Sequence, residues 1–319
     1  MNLSFKHSFL TFLACICTFV PLFAKQDVEV FVADFANDEL RLNIEQNASA
    51  FLSTINSSSP RSEINFSDTA KFADRFNDAF NELWENTPFY IPETTIIETV
   101  NRLTNGTYEM RNIPAYFLTP EGEELYEETV LQFDADGRII NFRIGLPAHR
   151  YQNLMLEGED VTDQANRAVI LQFVEQVRTA YNRKDLEFIN TVFSDQALII
   201  VGSVIQNTGD ESAYQQQVEY LQFTKDEYIQ RLSGIFSRNE WIDVGYEDIG
   251  IFRHPKHPEI YGVSLTQYYN SSTYSDEGYL FLLIDFKNPD QPMIHVRTWQ
   301  PKNSTPEDEI FHIGYMEIF

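Results

Sequence analysis

The chain has 319 residues, 43% of them hydrophobic, with 26 Phe, 16 Tyr and a formal net charge of −25. That length accommodates two domains able to bury their own cores, and the aromatic content excludes a disordered chain. A surface this acidic repels phosphate backbones and anionic lipid headgroups, which argues against nucleic-acid and peripheral membrane binding.

At the N-terminus Lys6 and His7 precede an apolar run from Phe9 to Phe23, and Leu22-Phe23-Ala24 gives way to polar Lys25-Gln26-Asp27. This is the layout of a secretory signal peptide over 1–24, cleaved after Ala24, which predicts a secreted or periplasmic product. The run is shorter than the ~20 residues of a bilayer span, so no stable membrane insertion is expected after cleavage. Phe12-Leu13-Ala14-Cys15 resembles a lipoprotein processing site, but the chain stays apolar beyond Cys15 and lipid anchoring is not expected. Cys15 and Cys17 both fall in this segment, so the mature chain, with a charge of about −26, would have no thiol for a disulfide, a nucleophile or a metal site.

Leu40 to Ile55 reads as a helix, and the Ser-rich stretch 57–62 ends it. Ser67 is expected to cap a second helix whose apolar face is Phe72, Phe76, Ala79, Phe80 and Leu83. Strands are predicted over Thr94–Arg102, Thr107–Tyr116, Tyr126–Phe133 and Arg138–Ile144, punctuated by Asn105-Gly106, Pro120-Glu121-Gly122 and Asp136-Gly137. The acidic stretch 156–165 is expected to link a domain over 25–155 to one over 166–319. The second domain opens on a helix from Asn166 to Tyr181, turns through Asn182-Arg183-Lys184-Asp185 into a short helix, and continues as a strand over Ala197–Val204. Gln206 to Gln217 is expected to loop out. Thr224 and Glu227 form a capping box for the next helix. Strands follow near Trp241–Phe252, Ile260–Tyr269, Gly278–Phe286 and Pro292–Gln300, with a last one over Phe311–Phe319.

One pattern occurs twice: a helix near a tryptophan, then strands closing in a hairpin, from Phe66 through Trp84 to Leu131–Ile144 and from Phe223 through Trp241 to Leu283–Trp299. Phe173-Val174-Glu175-Gln176-Val177 followed by Ala180 to Leu186 resembles the first-helix segment of the NTF2-like superfamily, which includes SnoaL-like and ketosteroid-isomerase-like domains. The hairpin Leu131 to Ile140 is similar to its last strand pair. The resemblance covers most of Asn166–Gln300, is more divergent in the first copy, and extends to tandem NTF2-like proteins secreted by Gram-negative bacteria of the Bacteroides type. It implies an α+β fold of two cone-shaped domains, each a strongly bent antiparallel sheet packed on N-terminal helices, which can pair as an intramolecular pseudo-dimer. Such cavities serve isomerases, dehydratases, hydrolases, ligand binders and docking modules, so fold alone fixes no activity.

If Phe286 pairs with Ile294, one face of the last hairpin carries Ile284, Phe286, Ile294 and Val296. The other carries Asp285 opposite His295, with Arg297 and Trp299 beside them. A carboxylate against an imidazole suits a general acid or base, Arg297 an anionic group and Trp299 a ring; on an outer face the same residues would be a structural ion pair. Tyr181, Tyr228, Tyr246 and Tyr268 are candidate pocket phenols, yet they complete no catalytic set. Asp134-Ala135-Asp136-Gly137 lacks the closing acid of a calcium loop and suits a hairpin, and the prolines around His254 and His257 point to a connecting loop without metal-ligand spacing. The sequence has no phosphate-cradling glycine loop, Gly-x-Ser-x-Gly elbow or zincin motif. The expectation is an exported non-catalytic protein that binds a small molecule, peptide or protein partner without a cofactor. The alternative is a lyase, isomerase or hydrolase using Asp285 and His295, and a third is a scaffold in an envelope complex.

Overall fold

The computed structural model describes residues 26–103, 105–119, 122–158, 161–205, 217–288 and 291–313; the expected signal peptide, most of the 206–217 insertion and residues 314–319 lie outside them. Two six-stranded sheets, each packed on helices, give the α+β architecture. In the first, Glu29–Ala33 (β1) alternates, burying Val30 and Val32 beneath the helix Asp38–Ser57 (α1). Ser53, Ser49 and Glu45 of α1 accept hydrogen bonds from the Val28, Val30 and Val32 amides, so a helix satisfies the edge of this strand. The next helix (α2) covers only Phe76–Asn86, and Ser67 does not cap it. The preceding residues form turns around a short parallel bridge of Phe72 with Ile139, in which the Ala73 amide donates to the Ile139 carbonyl and the Ile139 amide to the Lys71 carbonyl. Phe89–Tyr90 (β2), Thr95–Arg102 (β3), Tyr108–Leu118 (β4), Glu124–Phe133 (β5) and Ile139–Ile144 (β6) complete the sheet. Its order is β1-β3-β4-β5-β6 with β2 on β4, antiparallel except for β1 against β3. A phenylalanine cluster fills its interior: Phe51 lies 5.1 Å from Phe66 and from Phe80, and Phe89 stacks on Phe142 at 5.0 Å.

The chain continues through Ala148–Leu156 (α3), Val161–Asn182 (α4), Leu186–Val192 (α5), Phe193–Ile205 (β7), Gln217–Phe223 (β8), Lys225–Arg238 (α6), Ile242–Arg253 (β9), Ile260–Ser271 (β10), Ser275–Asp285 (β11) and Met293–Pro301 (β12). Asp185 caps α5 through the Phe188 amide, and the Thr224/Glu227 capping box starts α6. Within the expected linker stretch, α3 ends at Leu156 and α4 begins at Val161. The second sheet has the order β8-β7-β12-β11-β10-β9, with β7 and β12 parallel. Residues 311–313 are not a strand: the Phe311 amide donates to the Gln300 side chain, and Phe311 and Ile313 pack on the outer cluster of Ile260, Phe281, Leu283 and Val296. Apart from the two-residue β2, which the second run lacks, α2-β3-β4-β5-β6 and α6-β9-β10-β11-β12 share one order, and the Phe72–Ile139 bridge matches the parallel contact of Phe193 with Ile294.

One helix links the two sheets. Helix α4 stands between them, with Ile170, Val174, Val177 and Tyr181 in the second core and Glu175, Arg178 and Thr179 against the first sheet. Glu175 accepts from Arg111 Nη1 (3.1 Å), Arg143 Nε (2.9 Å) and the Leu146 amide (2.7 Å). Burial alone would raise its pKa, but the two guanidiniums together outweigh that and hold it below the usual glutamate range. Arg178 pairs with Glu127 and donates Nε to the Val244 carbonyl, tying both sheets to one helix.

Candidate functional site

The geometry of the site turns on one residue of the last hairpin. Ile284 pairs with Ile294 but Leu283 pairs with Val296, so His295 is the extra residue of a bulge, and the expected Phe286–Ile294 pairing is corrected. Beyond a bulge the alternation inverts. Arg297 and Trp299 therefore share the inner face with Leu280, Leu282, Ile284 and Ile294, while Val296 joins Phe281 and Leu283 outside. Asp285 Oδ2 and His295 Nε2 do approach, at 3.4 Å, but the imidazole is 42% exposed and Lys287 Nζ stands 3.5 Å from the same carboxylate oxygen. Neither residue lines the cavity. The first sheet carries the same bulge, at Ile140, which makes Phe142 the counterpart of Arg297.

Inside the second sheet is a cavity of about 470 Å³, walled on one side by α6. Arg297 is 7% exposed and lies over the Tyr228 ring at 5.3 Å; Tyr228 in turn is hydrogen-bonded to Tyr181 through their hydroxyls. Burial pushes the guanidinium pKa down, the surrounding Tyr228, Tyr181 and Tyr246 phenols push it up, and the net direction is upward. Among the described residues no carboxylate forms an ion pair with it. Burial raises the Tyr181 phenol well above its ordinary value and takes Tyr269 to about 12. The Asp276 carboxyl is also raised by burial, against the opposing pull of a Tyr274 hydrogen bond and of Arg297. Trp299 Nε1, Tyr269 Oη and Asp276 Oδ1 are buried here without a hydrogen-bond partner. Gly278 makes room for the indole: a Cβ there would stand 2.4 Å from the Trp299 ring and 2.6 Å from the Gln300 carbonyl oxygen.

Of the sequence candidates, Arg297, Trp299, Tyr181 and Tyr228 meet in this cavity. Tyr268 points to the opposite face and donates to Glu247 at 3.0 Å. Asp276 and Tyr269, paired across β10 and β11, escaped the sequence reading although strand alternation from Gln267 to Ser271 marks their face. The other motifs serve turns: Asp134 accepts from the Asp136 and Arg138 amides, with Gly137 at φ +84°, and His254 Nδ1 accepts from the Lys256 and His257 amides. No cluster of three or more potential metal ligands occurs among the described residues.

No family model and no curated protein matches the sequence. Among solved structures, the chain resembles Bd1075 of Bdellovibrio bacteriovorus at 17% identity and a TM-score of 0.34, over 52% of this chain and only 45% of that one. It resembles an NTF2-like protein from Cytophaga hutchinsonii at 16% identity and TM-score 0.31, over 42% of this chain and 97% of that one. Nuclear transport factor 2 from Cryptosporidium parvum follows at 8% identity and TM-score 0.31, over 41% and 90%. These last two are NTF2-like. Each NTF2-like neighbour is thus matched over nearly its whole length by less than half of this chain.

Proposed function

We propose that the cavity of the second sheet binds a small organic anion bearing a ring, in an exported binding protein built of two NTF2-like units. The observation that carries this is Arg297, a buried guanidinium facing an aromatic cavity and held in no ion pair by a carboxylate among the described residues. A buried guanidinium held in no direct ion pair is costly, and although Asp276 acts on it electrostatically from the same cavity, a ligand carboxylate would supply the contact partner. Tyr228, Tyr181 and Trp299 offer ring faces, Trp299 Nε1 and Tyr269 Oη offer unused donors, and about 470 Å³ suits a small molecule. The first unit carries Phe142 at the matching position and its phenylalanines fill the space, which supports one such site in the two units.

Isothermal titration with benzoate and phenylacetate, against their uncharged amides, tests the reading. The acids are expected to bind and the amides to bind at least about tenfold more weakly, a difference near 1.4 kcal/mol. Arg297→Met is expected to erase the preference for the acids. Equal affinity for acid and amide would refute it.

A second reading, proton transfer to or from the bound ring compound, is favoured by Asp276: its pKa is raised and its Oδ1 is unpaired in the same cavity. Asp276→Asn separates the two, because a pure binder keeps its ligand affinity and an enzyme loses turnover.

A further inference from the structure

We infer that a second anion site, for a monocarboxylate with an apolar tail, lies between the two units. A cavity of about 430 Å³ opens there, walled by α2 and β6 on one side and by α4 and α5 on the other. Two guanidinium nitrogens that are buried without a partner among the described residues, Arg143 Nη1 and Arg183 Nε, both belong to residues lining it. Arg143 is 1% exposed, so its spare N–H has no access to bulk water. A buried donor left unpaired is costly, and both of these donors belong to the wall of one cavity. The N-terminus of α2 opens on the same space, where Arg75 makes no side-chain capping bond. Phe76, Phe80 and Phe188 form the apolar wall.

Charge balance selects the ligand class. Glu109 and Glu175 already neutralise Arg143, Asp185 lies 2.9 Å from Arg183, and the lining charges of Asp74 and Arg75 offset each other, so the cavity offers donors with little surplus positive charge. A singly charged carboxylate fits such a site better than a phosphate dianion, and its hydrocarbon body would lie along the phenylalanines. The site is independent of Arg297, being on the side of α4 that faces the first sheet.

The test uses the full mature chain carrying Arg297→Met, which silences the other cavity, titrated calorimetrically with phenylpropionate. One equivalent is expected to bind. Ala79→Trp, which fills the cavity and keeps both arginines, is expected to abolish binding, and Arg183→Gln to weaken it by about tenfold, as for one charge-assisted hydrogen bond. Circular dichroism establishes that each variant is folded; should Ala79→Trp not fold, Arg183→Gln decides alone. No binding in the Arg297→Met background, or undiminished affinity in a folded cavity variant, overturns the site. Displacement of phenylpropionate by equimolar inorganic phosphate overturns the ligand class.

Discussion

His295 decides which way Arg297 points, because one inserted residue moves every later side chain of β12 to the other face. Sequence alternation located the hairpin but set Arg297 and Trp299 on the face of Asp285 and His295, while Tyr181 and Tyr228 were legible as pocket phenols from the helices that carry them. It missed the bulge, since a histidine fits an outer edge as well as a regular strand position. Asp276 was missed for another reason: β11 begins at Ser275, and the sequence signal begins only at Gly278. Burial raises the Asp276 carboxyl, so protonation favours the folded state. That contribution is complete below the ordinary value of 3.8 and is lost as the pH rises through the raised folded value. Asp276→Asn is therefore expected to raise Tm at neutral pH, with the gain vanishing by pH 3.8 in a series of thermal melts. A gain that persists in acid would contradict the burial argument. Gly278→Ala is expected to displace the Trp299 indole, read as a shifted tryptophan emission and weaker ligand binding.

Among the elements, α6 carries Tyr228 and Leu232 into the cavity wall and depends on its capping box. Thr224→Ala is expected to lower stability by about 1 kcal/mol in urea denaturation, and an unchanged midpoint would mean that tertiary packing alone holds the helix start. The capping box, the last hairpin and the four-strand runs were legible because local chemistry specifies them. By contrast, β1 finds its amide partners on α1 side chains far along the chain, and α3 buries only Leu154, leaving no stripe to read. The late start of α2 also has a tertiary cause, since the bridge from Phe72 to Ile139 outcompetes the helix that Ser67 could have begun. These are the places where long-range contacts override local propensity.

For the whole molecule, the Glu175 cluster ties α4, which packs in the second core, to the first sheet, and the two sheets are expected to unfold together. Glu175→Ala leaves the buried Arg111 and Arg143 sharing Glu109 alone, at an expected cost of about 3–5 kcal/mol, and should lower or split the single calorimetric transition expected of the native chain. Because the folded pKa of Glu175 is lowered, its contribution is present above 4.5 and lost as the pH falls through the folded value, so the stability gap between the native chain and Glu175→Gln should close in acid. The proposed export carries its own prediction: N-terminal sequencing of the protein recovered from its host is expected to begin at Lys25, and a product retaining Met1 would count against it. Helix α4 also bears on how such a chain could diversify. Its two sides answer to different sheets, so a recombination event exchanging either half for that of a distant cousin would strand arginines whose acid lies across the breakpoint. The halves are not interchangeable cassettes, and new specificities would have to arise by substitutions within the pocket.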